Sequence, residues 1–197
     1  MTNWTHRYLE LARQVSLWSK DPSSQLGAVA IGSDGQILSQ GFNGFPRGIE
    51  DDDRLFNREE KYDHIVHAEM NVIYNACLNG VSLKGSTLYV FGLPVCHLCS
   101  LGIIQVGVKD VIMAWPTDQT EKALRWQESW SKTKSNFEEA KVAYAVYGYE
   151  GPSEHWIDTA RPQTRHMPDR GTRSRCSTHD SLCWTESVGE GFNCVFG

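Results

Sequence analysis

The chain has 197 residues, with 19 basic and 24 acidic side chains, a net charge of −5, and 40% apolar and 11% aromatic content. That length suits one domain of ordinary size with an appendage, and the apolar fraction excludes wholesale disorder. The acidic balance argues against a nucleic-acid partner, and no apolar run reaches the ~18 residues of a membrane span.

Trp4, Tyr8, Leu11, Val15 and Trp18 recur in steps of four and three, which predicts an amphipathic first helix ending before Pro22. Residues 26–31 and 36–41 read as two strands around the turn signal Ser33-Asp34-Gly35. A Gly-rich loop follows at 41–48. The charged run 50–61 reads as a solvated face. Residues 65–78 read as a helix with Gly80 as its C-cap. Then come a buried strand at 87–91, a helix at 96–106 and a strand at 108–115. Residues 119–141 read as a helix that the Ser/Lys/Thr stretch 131–135 can break, and 142–149 as a last strand. Strands alternating with helices predict an α/β fold, with helices on both faces of one sheet. Composition shifts after Pro152, so 1–151 is expected to form the domain and 152–197 an extension rather than a second globular unit.

Residues Met1 to Arg7 lack an apolar signal core, so a cytoplasmic protein is expected (host cytoplasm for a phage source). The six cysteines then read as metal ligands or free thiols rather than disulfides.

Cys96-x-x-Cys99 places two thiols on one helical turn, and a cysteine that opens a helix favours thiolate. His67 adds an imidazole. Zinc takes such N and S donors, and three protein ligands leave its fourth position for water, as in catalytic sites. Bound water then has a pKa of about 7. Glu69 lies two residues after His67. In mid-helix they would diverge by roughly 200°, so both can converge only if His67 sits at a helix N-terminus. There Glu69 can take and return a proton. Taken separately, a Cys-x-x-Cys pair also fits a redox or structural-metal role.

His67-Ala68-Glu69 followed by Pro94-Val95-Cys96-His97-Leu98-Cys99 resembles the H-x-E and P-C-x-x-C signature of zinc nucleobase deaminases, the cytidine deaminase superfamily. Ser19 to Val29, the loop Gly41-Phe42-Asn43-Gly44-Phe45-Pro46-Arg47-Gly48, and Gly102 to Lys109 are similar to segments of the deoxycytidylate deaminases, above all the phage and bacterial forms. The resemblance covers residues 4–149. It implies a three-layer α/β/α sandwich around a mixed sheet of about five strands. It implies one zinc per chain on His67, Cys96 and Cys99, and hydrolysis of dCMP to dUMP and ammonia for thymidylate supply. Glu69 would protonate N3 and then serve the departing amino group.

The resemblance further assigns Asn43, Ser24 and Ala68 to the substrate. For Asn43 and Ser24 ordinary turn chemistry is the alternative. It assigns activation by dCTP and inhibition by dTTP, with Mg accompanying an effector triphosphate, to Lys20, Asp21, Phe42, Gly44, Phe45, Arg47 and Gly48. Glycines there let backbone N–H groups approach phosphates, Lys20 or Arg47 supplies charge, and Phe42 or Phe45 can stack on a base. A core role for the phenylalanines is the alternative. The resemblance also implies a homo-hexamer.

Val95 departs from the usual form by standing between the proline and the first cysteine. No cysteine precedes Cys77, which removes the second, structural zinc of some phage enzymes. His64 then reads as a surface histidine, His97 as solvent-facing and Cys77 as a small core residue. Cys176, His179, Cys183 and Cys194 follow no metal spacing and read as free thiols. Two other readings remain. One is deamination of dCTP, a nucleoside or a tRNA adenosine, the last disfavoured by the acidic charge. The other is a nucleotide-binding regulator with a structural zinc, for which Glu69 has no use.

Overall fold

The central strands of this chain are apolar at every position past the Thr87 and Asp110 that open two of them, as a sheet covered on both faces demands. In β1 (Gly27–Ile31), Ala28 and Ala30 face one side, Val29 and Ile31 the other. β3 (Thr87–Phe91) divides its residues the same way, Leu88 and Val90 against Tyr89 and Phe91. In β4 (Asp110–Pro116), Val111 and Met113 oppose Ile112 and Ala114. The computed structural model describes residues 4–117, 124–149 and the main chain of 156–160. All lie in one unit, Met1–Arg165.

The sheet also contains β2 (Ile37–Phe42), β5 (Ala143–Tyr149) and β6 (Trp156–Ala160), in the order β2-β1-β3-β4-β5-β6. β3, β4 and β5 are mutually parallel, while β2, β1 and β6 run antiparallel to their neighbours. One face is covered by α1 (Trp4–Ser16) through Leu9, Ala12 and Val15. The other is covered by α3 (Ala68–Leu78), α4 (His97–Gln105) and α5 (Gln127–Ala140), through Val72, Ile103 and Phe137 among others. This is the three-layer α/β/α sandwich with a mixed sheet. The expectation of about five strands omits β6, which pairs along β5 from within the stretch read as an extension.

Both helices that flank the β1–β2 hairpin approach it closely. A Cβ on Gly27 would lie 2.2 Å from the Ala12 carbonyl oxygen of α1, and one on Gly41 2.6 Å from the Val72 nitrogen of α3. α3 also covers the outer edge of β2. Asn71 and Asn75, one helical turn apart, donate to the carbonyls of Phe42 and Gln40 at 2.7 Å each. That satisfies an edge which would otherwise template another strand.

Three elements differ from the sequence reading. α1 stops at Ser16 rather than carrying its stripe through Trp18, which is 54% exposed and meets Phe42 edge-on. The helix read over 65–78 is two: α2 (Arg58–His64) and α3, separated where Val66 exchanges backbone hydrogen bonds with Gly44. That bridge forces 65–67 out of helical geometry. The charged run 50–61 is accordingly no uniform solvated face, since Lys61 is buried. α5 runs unbroken through 131–135; residues 119–123 of that reading, and Cys176, His179, Cys183 and Cys194, lie outside the described residues.

Candidate metal centre

His67 is the N-cap residue of α3, and Cys96 the N-cap residue of α4. Both are extended residues half outside their helices, so both side chains hang at a helix N-terminus. The Cys96 sulfur accepts the Cys99 backbone N–H at 3.4 Å, capping α4 with a thiol. His67 Nδ1 stands 3.4 Å from the Sγ of Cys96 and 3.4 Å from that of Cys99. The three donor atoms lie within 4.8 Å of one another, and both cysteines are buried and free of disulfide. A tetrahedral zinc with ordinary bond lengths separates N from S by about 3.6 Å, so the donor set and its spacing fit that ion.

Glu69 occupies the first turn of α3 and is 2% exposed. Its Oε2 is buried without a hydrogen-bond partner among the described residues. Such an atom is costly to bury and points to something that will bond it. Burial pushes its carboxyl up to about 7, reinforced by Cys96 and opposed by His67. It is thus poised to hold or release a proton near neutrality.

The thiols split. The bond from Cys99, then that to His67, pulls Cys96 down to about 4, while burial opposes. Cys99, bonded to that thiolate and buried, lies far above the ordinary thiol range. The bond to Cys96 raises His67 to about 9 against its burial. Zinc takes cysteine as thiolate and histidine as neutral imidazole, so its binding releases the protons these ligands hold.

Val95, the departure from the family spacing, is fully buried in the core, and the cysteine geometry is intact. Two other readings are corrected. Cys77 is exposed, because α3 turns it away from the sheet. His97 is half-buried rather than solvent-facing, since its backbone N–H and its Nδ1 both meet Ser129 Oγ at 3.0 Å. His64, half-buried, bonds the Glu60 carbonyl and lies against the Phe45 ring.

The residues read as substrate contacts are placed as follows. Ala68 is fully buried directly after His67. Asn43 is buried, and its Oδ1 accepts the Leu26 N–H at 2.7 Å. Its Nδ2 donates to Ser24 O and Asp21 Oδ2, so it ties the 19–26 segment to β2. Ser24 also lines a cleft of about 530 Å³ with Arg13, Gln25, Gly92, Pro116 and Tyr149. None of His67, Glu69, Cys96 and Cys99 lines that cleft.

Of the residues read as an effector site, Asp21 is buried and accepts from Ser23, Ser24, Asn43 and the Lys61 ammonium. Lys20 is exposed and pairs with Asp51 at 2.8 Å. Phe42 packs in the α1-side core, and Phe45 lies under the Arg54 guanidinium. Gly44 bridges Val66, Arg47 bonds Asn75, and Gly48 has φ +87°, a conformation that favours glycine. Two neighbours escaped the sequence reading. Lys61 looked like part of a charge run, and Trp126, whose ring meets His67 edge-on at 6.4 Å, carries no local signal.

A buried carboxylate with a free oxygen, beside two thiols and an imidazole at paired helix N-termini, defines a zinc-dependent hydrolytic centre. Residues 2–115 match the family described as the cytidine and deoxycytidylate deaminase zinc-binding region, and the chain belongs to that family. It is similar to an uncharacterized deaminase of Aliivibrio fischeri, 38% identical over 72% of this chain and 92% of the relative. It is 37% identical to the human deoxycytidylate deaminase over 55% of this chain, and spans only 63% of that relative's length. The fold resembles a crystal structure of the dCMP deaminase of cyanophage S-TIM5 in complex with dCMP and dUMP, with a TM-score of 0.54 and 23% identity. That match covers 72% of this chain and 94% of the phage chain.

Proposed function

We propose that this chain hydrolyses dCMP to dUMP and ammonia. The observation that carries the reading is the buried Oε2 of Glu69, unpartnered among the described residues, beside the His67–Cys96–Cys99 donor set. Deoxycytidylate deaminases among the relatives support the substrate, as does the phage protein of the same fold that was solved with dCMP and dUMP. Zinc on His67, Cys96 and Cys99 would supply a water acidified to a pKa of about 7. The remaining work belongs to Glu69. Oε2 accepts the proton of the attacking water and delivers it to N3 of cytosine, then takes the proton of the new C4 hydroxyl and passes it to the amino group, so that the C4–N bond breaks and ammonia leaves. Its burial in the first turn of α3, with Oε2 unbonded among the described residues, places it to make each transfer.

Asn43, Ser24 and the Ala68 main chain would orient the nucleotide. The 43–48 loop, with Arg47 and the neighbouring Lys20, would take dCTP as activator and dTTP as inhibitor, with Mg on the triphosphate. The enzyme would work as a homo-hexamer in the cytoplasm, with residues 1–151 carrying the deaminase site and 152–197 as an extension that lends β6 to the sheet.

The test is ammonia release from dCMP, dCTP and deoxycytidine with zinc quantified. Turnover should be fastest on dCMP, with one zinc per chain. Glu69→Gln should keep its zinc and lose turnover by about 10²–10⁴-fold. Undiminished turnover in that variant would remove Glu69 from the chemistry. Sigmoidal dCMP kinetics, shifted in opposite senses by dCTP and dTTP, should report the regulation.

A further inference from the structure

α5 lies beyond the family-matched residues 2–115, yet it holds the cysteine segment from behind. Four of its residues, at the N-cap and along one face in steps of three, four and three, meet His67 or the segment around the cysteines: Trp126, Ser129, Thr133 and Asn136. Thr133 is fully buried, and its hydroxyl lies 2.9 Å from the Val95 carbonyl oxygen. That proton is shared with the Ser129 carbonyl one turn back, at 3.1 Å. Ser129 Oγ accepts the His97 backbone N–H and meets His97 Nδ1, each at 3.0 Å. Asn136 donates to Ser100 Oγ at 2.9 Å, and Ser100 in turn donates to the His97 carbonyl. Trp126 stands edge-on to His67.

The first two contacts bracket Cys96. Thr133 holds the carbonyl of the residue before it, and Ser129 holds the N–H of the residue after it. Between them Cys96 keeps an extended backbone, φ −76° and ψ 160°, that aims its sulfur at His67. Resting on the zinc reading above, we propose that Ser129 and Thr133 are positioning residues for the Cys96 thiolate. Retention of the metal thus depends on a helix outside the family-matched region. Partners of metal ligands typically set affinity by 10–100-fold, because a ligand left to wander must be re-ordered each time it binds.

The experiment uses the full-length, zinc-loaded protein. Zinc release to a chromogenic chelator is followed in Ser129→Ala, Thr133→Val, Thr133→Ser and the surface control Lys132→Ala. Thiolate-to-metal absorption of each cobalt-substituted form is recorded alongside. Ser129→Ala and Thr133→Val should release zinc about ten times faster or more, with altered cobalt bands. Thr133→Ser, which keeps the hydroxyl, should restore the parental rate, and Lys132→Ala should match the parent. Parental release and parental cobalt bands in both hydroxyl-deletion variants would overturn the proposal, even if their melting temperatures fell. Should Thr133→Val fail to fold, Ser129→Ala decides alone. A parent that retained no zinc would instead sink the deaminase reading, and this inference with it.

Discussion

Lys61 and Asp21 form an ion pair whose side chains retain only 7% and 4% of their exposure. Burial opposes the Asp21 charge. The Ser23 backbone N–H, the Lys61 ammonium and the Ser23 hydroxyl outweigh it and hold the carboxyl below its ordinary value. Replacing Lys61 by Met strands a buried carboxylate, which should cost about 3–5 kcal/mol in urea denaturation at pH 7. An unchanged midpoint would show that the pair contributes nothing. The pH dependence has a definite sign. A depressed folded pKa contributes stability that is fully present above the unfolded value of about 3.9 and is lost as pH falls through the folded value. The parent should therefore lose its advantage over Lys61→Met in strong acid and keep it near neutrality. None of this was legible from Arg-Glu-Glu-Lys, because nothing local marks which cation of a charge run will meet a partner 40 residues away.

At the scale of elements, α3 is the part whose position matters most. It presents both His67 and Glu69, and it sits against the backbone of β2 because residue 41 lacks a side chain. Gly41→Ala would drive a methyl into the Val72 nitrogen and the Ala68 carbonyl oxygen, both backbone atoms with nowhere to go. The expected destabilisation is about 1–3 kcal/mol by chemical denaturation, with zinc released faster as the α3 N-terminus is displaced. Parental stability and parental zinc retention together would refute that account. The hydrophobic pattern located a helix there but not its core face, since Cys77 was read as core and is exposed; the need for His67 and Glu69 to converge placed the helix start. The same pattern merged α2 into α3, since the Gly44–Val66 bridge that parts them pairs residues 22 positions apart. The Ser/Lys/Thr stretch in α5 looked like a breaker; Thr133 within it instead bonds the cysteine segment from inside a continuous helix.

At the scale of the whole molecule, β6 changes what a truncation should do. A chain ending at Gly151 leaves the outer edge of β5 unpaired, whereas one ending at Ala160 keeps it covered. The longer form should keep its zinc and its turnover. The shorter should aggregate more readily in light scattering at equal concentration; equal behaviour of the two would make β6 dispensable. Light scattering of the full chain with and without dTTP should give a hexamer, and a monomer in both conditions would contradict that assembly.

The sequence alone pointed to the alternation of strands and helices, the burial of both sheet faces, the three metal-ligand candidates and Glu69 as the acid–base candidate. Each of those rests on short-range pattern: continuous apolar runs, period 3.6, Cys-x-x-Cys and His-x-Glu. Tertiary structure alone decided what depends on chain segments meeting from afar. It buried Lys61 against Asp21, engaged Asn43 with the 19–26 segment, exposed Cys77, and set Ser129 and Thr133 around Cys96. Ligand types announce themselves locally because their chemistry is carried by the side chain. The groups that hold them in place do not, because ordinary serines, threonines and lysines gain a role only from where the fold delivers them.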